Sequence, residues 1–227
     1  GYRAFLAHGY CSAGAPFPAA DFPYAAYLHY TAGYDEALSV DALARELLAF
    51  ADEYGADSYS MVGHSQGGMA ALHLYTYYWS GLDRVTPEAG QARIQAVSSP
   101  FRGTPLMNYW VLDDLVALAG FFCGYVDDMN PDTAAAWLAL IPEDRQSEVL
   151  SYRMWNGRGE LPCVFAAELI FTDQDDGATE VGRNVVIGEG NNIDPEVPWC
   201  HTTGMNHAPG YNNHAQNEKI ALRIAVA

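Results

Sequence analysis

Ser65 lies in the stretch VGHSQGG, residues 62–68, between a histidine and a glutamine, with glycines at Gly63, Gly67 and Gly68. A serine hydroxyl is a weak nucleophile until a base takes its proton and an acid holds that base in place. The glycine spacing gains meaning when a strand runs into it and a helix runs out. The serine is then held out at a tight turn on the C-terminal rim of a sheet, where bulk on either side would push strand and helix apart. The helix N-terminus also offers free backbone N–H groups to a developing anion. A serine that merely capped a helix would not ask for glycine at Gly63, and a phosphate-cradling loop would carry a lysine after its glycines, which this one lacks.

At a strand–turn–helix site of this kind the partners follow in the order Ser, then Asp or Glu, then His. Four of the seven histidines come after the serine: His73, His201, His207 and His214. His73 belongs to the helix that starts at Ser65 and cannot reach back. His207, in the loop GMNHAPG, is the favoured base, with His214 and His201 as the alternatives. The stretch FTDQDDGAT, residues 171–179, offers Asp173, Asp175 and Asp176. Asp176 is favoured because Gly177 permits a sharp turn behind it. The oxyanion of a tetrahedral intermediate needs two donors. The backbone N–H groups of Gln66 and of Tyr10, after His8-Gly9, are in the expected places. The aspartates of this loop could serve a cation, but no second ligand-rich segment completes a calcium shell of six or more oxygens. No metal and no cofactor are expected.

The elements that must position these groups can be read in outline. Residues 2–7, 24–30, 57–62, 93–98 and 163–172 have strand character, with a weaker signal at 183–187. Residues 40–54, after a Ser39 cap, 69–79 and 213–227 have helical spacing. Between residues 107 and 157 the strand signals vanish and long apolar helical stretches replace them. Strands alternating with helices predict one α/β domain over 1–227, with a mostly parallel central sheet, flanking helices and a helical insertion at 107–157.

Composition narrows the partners. Twenty-eight acidic residues stand against ten arginines and one lysine, a net charge of −17. That excludes nucleic acid and anionic membrane as natural partners and suits an uncharged substrate. Half of the residues are apolar and none of the apolar runs approaches the ~20 residues needed to span a bilayer. The sequence starts at Gly1 without a leader, so any targeting peptide is expected to have been removed or omitted. Four cysteines without CxxC spacing argue against zinc and are compatible with secretion and disulfides. Cys163 with Cys200 is the preferred pair; reduced core cysteines are the alternative.

Taken together, LAHGY, VGHSQGG, SSPFRGTPL, DDG and MNH, in that order from Leu6 to His207, resemble the α/β-hydrolase fold, and more narrowly the secreted bacterial triacylglycerol lipases of the Pseudomonas and Burkholderia type. The resemblance implies Ser65, Asp176 and His207 as triad, Tyr10 and Gln66 as oxyanion donors, and a lid at 107–157 whose Trp110, Phe121, Phe122 and Trp137 cover an acyl pocket. Three departures stand out. Pro209 replaces the family's calcium-ligating aspartate, Phe101 replaces a histidine, and the interval from Asp176 to His207 is longer than usual. The expected activity is that of a serine carboxylic-ester hydrolase acting on apolar acyl esters, lipids among them, at a lipid–water interface or in solution. Short-chain ester cleavage, polyester hydrolysis and acyl transfer would use the same triad. A non-catalytic binding module is the rival of another class.

Overall fold

The computed structural model describes residues 2–10, 17, 19–22, 27–30, 37–56, 58–81, 94–108, 125–155, 170–187, 192–193 and 201. Its centre is a six-stranded sheet built from β1 (Tyr2–Ala7), β2 (Tyr27–Tyr30), β3 (Ser58–His64), β4 (Ile94–Val97), β5 (Val149–Tyr152) and β6 (Asn192–Ile193). The strand order is β2-β1-β3-β4-β5-β6, and every pairing is parallel. A parallel sheet needs cover on both faces, which is why β4 and β5 are buried at every residue rather than on alternate ones. In β1, Phe5 and Ala7 face one core and Ala4 and Leu6 the other; in β3, Met61 and Val62 divide the same way.

The first core is closed by two helices, α1 (Val40–Glu53) and α2 (Gln66–Tyr77). Ser39 caps α1, its Oγ accepting from the Ala42 N–H at 3.0 Å, and Val40, Leu43, Ala44, Leu47 and Ala51 form the buried stripe. The amide of Val40 is satisfied from far along the chain, donating to Asp128 Oδ2 at 2.7 Å. Helix α2 is buried over its first four residues and beyond, which places its N-terminus against the sheet. Two further helices follow, α3 (Pro131–Leu140), with Pro131 in its first turn and Asn130 as its cap, and the single turn α4 (Glu143–Gln146). The second core packs Phe17, Phe22 and Met154 under the opposite face.

Several expectations change at this level. Strand β5 lies inside the 107–157 range that was expected to be helical, so a helical insertion there ends before Val149. Helices α3 and α4 lie in the described part of that range; residues 109–124, with Trp110, Phe121 and Phe122, lie outside the described residues. The expected strand at 183–187 is a 3₁₀ turn, Val181–Arg183, followed by irregular chain, and β6 supplies the edge instead. Most of the expected strand at 163–172, the expected terminal helix and all four cysteines, including the pair Cys163 and Cys200, lie outside the described residues. Among the described residues no helix is long and apolar enough to cross a membrane.

The chain leaves β1 toward β2 on one side, then crosses to β3 on the other. The loops after β1 and β3 therefore diverge, and the crevice between their C-terminal ends is where open parallel sheets bind ligands. His8-Gly9-Tyr10 and Ser65 stand at these two ends.

Candidate active site

Ser65 is the residue between β3 and α2, with φ 55° and ψ −130°. A non-glycine residue in that region costs on the order of 1–3 kcal/mol and persists only where its surroundings over-determine it. Here they do. The Ser65 N–H donates to Val97 O at 2.8 Å, and the Gly68 N–H donates to Ser65 O at 3.1 Å. The glycines are required by contact. A Cβ on Gly63 would sit 2.6 Å from Gly67 O, and one on Gly68 would sit 2.8 Å from Ala96 Cβ. Gly63→Ala should therefore lower stability by roughly 1–3 kcal/mol, the usual range for overpacking. Urea unfolding checks this, and an unchanged midpoint would show that the elbow can shift to admit the methyl.

The His8-Gly9-Tyr10 loop presses on the elbow from the other side. A Cβ on Gly9 would lie 2.8 Å from His64 O and 3.0 Å from Ser65 Oγ. The His8 ring donates from Nδ1 to Gly9 O at 2.7 Å and stacks on Tyr30. Gln66 opens α2, so its backbone N–H has no acceptor within the helix. Its side chain is committed elsewhere, donating to Leu38 O at 2.7 Å. Both expected oxyanion donors thus belong to segments that meet at Ser65.

The base is where sequence and structure part. His201 Nε2 lies 2.9 Å from Ser65 Oγ, and His201 Nδ1 lies 2.8 Å from Asp176 Oδ2. An ionised carboxylate can only accept, so Nδ1 carries the ring proton and Nε2 is free to take one from the serine. His201 therefore stands in the position expected for His207, which, like His214, lies outside the described residues. His201 is held at both ends of its backbone: its N–H donates to Asp176 O at 2.7 Å, and its carbonyl accepts from His64 Nε2 at 3.0 Å.

Of the three candidate acids, Asp176 is the one that meets the histidine. Its Oδ1 accepts from the backbone N–H groups of Ala178 at 3.0 Å and Thr179 at 2.8 Å. Its Oδ2 accepts from the Ser98 hydroxyl and from His201. Asp175 and Asp173 instead accept from the amides of Gly177 and Gln174, ordering the turn itself. The loop around them is closed by Glu180, which accepts from the Thr172 N–H at 2.9 Å and pairs with Arg183 Nε at 2.7 Å.

His64, the residue before the serine, is buried beside His201, with ring centroids 4.8 Å apart. Burial first, and the neighbouring His201 second, push its pKa down to about 3. With Nε2–H donating to the His201 carbonyl, Nδ1 is left buried without a partner among the described residues. Protonation there would create a donor with nothing to receive it.

Trp137, expected in an acyl pocket, is bonded to α2. Its Nε1 donates to His73 Nδ1 at 3.0 Å, and His73 Nε2 in turn donates to Asp41 at 3.2 Å. His73 is eight residues along the chain from Ser65, about 12 Å at the helical rise. Trp137 thus fastens α3 to α2. Among the described residues no cluster of ligating side chains forms a metal site.

Known proteins show the same arrangement of strands and helices. The mature form of a Bacillus licheniformis lipase, BlEst2, superposes with a TM-score of 0.64 at 16% identity over 88% of this chain and 84% of that one. A metagenomic carboxyl esterase gives 0.64 at 15% identity over 100% of this chain and 74% of its own. Lipase 1 of Pelosinus fermentans gives 0.62 at 13% identity over 98% of both. At such identities the likeness is one of fold: the chain has the α/β-hydrolase fold, and nothing in these matches singles out the Pseudomonas and Burkholderia lipases. In sequence, the chain is 32% identical over 219 residues to the conditioned medium factor of Dictyostelium discoideum, covering 96% of this chain but only 30% of that protein. The profile of the conditioned medium factor C-terminal domain matches residues 1–223, and the chain belongs to that family.

Proposed function

We propose that this α/β-hydrolase is a serine carboxylic-ester hydrolase that works through an acyl-enzyme. The observation that carries the reading is the unbroken line Ser65–His201–Asp176, seated at the sheet's switch point with each link between 2.8 and 2.9 Å. In this reading Ser65 Oγ attacks the ester carbonyl carbon while His201 Nε2 takes the hydroxyl proton. The tetrahedral oxyanion collects hydrogen bonds from the backbone N–H groups of Gln66 and Tyr10. Collapse expels the alcohol, which receives its proton from Nε2. Water then repeats the sequence on the acyl-enzyme, with His201 again as base, and the acid is released. Asp176 holds the imidazolium throughout.

The substrate class is an uncharged, apolar acyl ester. Fifteen tyrosines, nine phenylalanines and five tryptophans, set against so few cations, favour it over an anionic substrate. The same triad serves lipid esters, short-chain esters, polyesters or transfer of the acyl group to another alcohol. Secretion belongs to the proposal too, since the relative that matches is named for conditioned medium. That name also supports a second reading, a factor that acts by binding and turns nothing over.

A fluorophosphonate and a series of p-nitrophenyl esters of increasing acyl length separate the readings. The hydrolase should gain one phosphonyl mass on Ser65 and turn over esters, and Ser65→Ala should do neither. A lipase would prefer long chains and an esterase short ones. A protein that takes no adduct and cleaves no ester would leave the binding reading standing.

A further inference from the structure

The line of hydrogen bonds does not end at Asp176. Ser98 terminates β4, is fully buried, and has φ 50°; it and Ser65 are the two described non-glycine residues with positive φ. Its N–H donates to Tyr152 O at 2.9 Å, which ties it to β5. Its hydroxyl donates to Asp176 Oδ2, lies 3.1 Å from His201 Nδ1, and receives Asn184 Nδ2 at 3.4 Å. Asn184 is itself held, its Oδ1 accepting from Thr179 Oγ1 at 2.9 Å and its carbonyl from Ser151 Oγ at 2.6 Å.

We propose that Ser98 is a positioning residue for the reaction at Ser65: its hydroxyl fixes Asp176 Oδ2 so that the carboxylate presents a fixed acceptor to His201. This rests on the ester-hydrolase reading above. A carboxylate has roughly four lone-pair sites. Two backbone amides fill those of Oδ1, and Ser98 with His201 fill those of Oδ2. With the hydroxyl gone, the two amides still hold Oδ1, but Oδ2 has only the imidazole to define it. The carboxylate can then turn about its Cβ–Cγ bond, and the imidazole that follows it loses its aim at Ser65 Oγ.

The backbone argues in the same direction. At φ 50° a glycine carries no strain, whereas a serine does. A side chain kept at such a position is used, and its hydroxyl is already accounted for by Asp176. Strain observed at a buried residue beside a reacting centre points to function in this way.

The test is Ser98→Gly, with Ser98→Ala as companion, measured for kcat, KM, the rate of phosphonylation and the urea midpoint. Glycine removes the hydroxyl and the strain together, so the midpoint should move little. The expected result is a fall in kcat of about 10- to 100-fold, the scale of a misplacement of about 1 Å in a reacting group. KM should stay within about twofold, because nothing that grips substrate has changed. A structural role would move the midpoint and spare kcat in the folded fraction. A parent that is active and phosphonylated, with a Ser98→Gly variant matching it in kcat, overturns this proposal alone. A parent that neither cleaves ester nor takes the adduct removes the hydrolase reading and this proposal with it.

Discussion

His201→Ala should lower kcat for ester cleavage by about 10⁴- to 10⁶-fold, while His207→Ala should leave it within a few-fold. The first figure is large because, in the proposed mechanism, Ser65, His201 and Asp176 act as a unit. Without the imidazole, Ser65 keeps its hydroxyl proton and the leaving alcohol finds no donor. KM should hardly move, since the ring contributes nothing to gripping an acyl chain. His201→Ala should also stop phosphonylation of Ser65, which separates lost activation from lost substrate binding. The geometry behind the prediction is specific: Nε2 is 2.9 Å from Ser65 Oγ and Nδ1 is 2.8 Å from Asp176. If His207→Ala proved as damaging as His201→Ala, assignment of the base to His201 alone would fall.

The second large effect is on stability against acid. His64 has a folded pKa of about 3 against an ordinary 6.5, so the unfolded chain takes up its proton first as the pH falls. The contribution of neutral His64 is fully present above about 6.5 and is lost as the pH falls toward about 3. Across that window the unfolding free energy should decline by up to ~1.4 kcal/mol per pH unit from this one group. His64→Gln keeps an amide donor for the His201 carbonyl but has nothing to titrate. Urea unfolding of both proteins between pH 7 and pH 4 is the measurement, and the parent should lose stability more steeply by roughly one proton. His73, also lowered by burial, contributes equally to both and drops out of the comparison. Parallel slopes would mean that His64 takes up its proton in the folded state as readily as in the unfolded one.

The sequence is a good guide where backbone meets backbone. Gly63, Gly67 and Gly68 are legible because each lies where strand, helix or the His8 loop leaves no room for a methyl group. Asp176 is legible for a similar reason, standing before Gly177, whose φ is 93°. The histidine is not, because nothing local defines it. What holds His201 is a carbonyl reached by His64 and an amide given to Asp176, contacts that span 137 and 25 residues of sequence respectively. The Gly/Pro setting of His207 describes a loop, not its destination. One signal did point the right way: the interval from Asp176 to His207 is too long for the resemblance, and moving to His201 shortens it by six residues.

Strand β5 was missed because four residues, VLSY, are too short to show a period, and only two residues separate them from the helical turn at Glu143–Gln146. Its pairing with β4, Ile94 opposite Val149, and with β6, Ser151 opposite Asn192, makes it a strand. An aromatic on an apolar helix looks the same in sequence whether it faces a ligand or a neighbouring helix, and Trp137 meets His73 of α2. The position of His73 in α2 carries no mark of that contact.

The bond from the Val40 amide to Asp128 Oδ2 reaches beyond local capping. The first turn of α1 is completed by a residue 88 positions later, in the short segment that leads into α3. Neither stretch can loosen without stripping the other of a partner. The start of α1 and the entry to α3 thus share one cooperative opening, and their amides should exchange with solvent as a single foldon despite their distance along the chain.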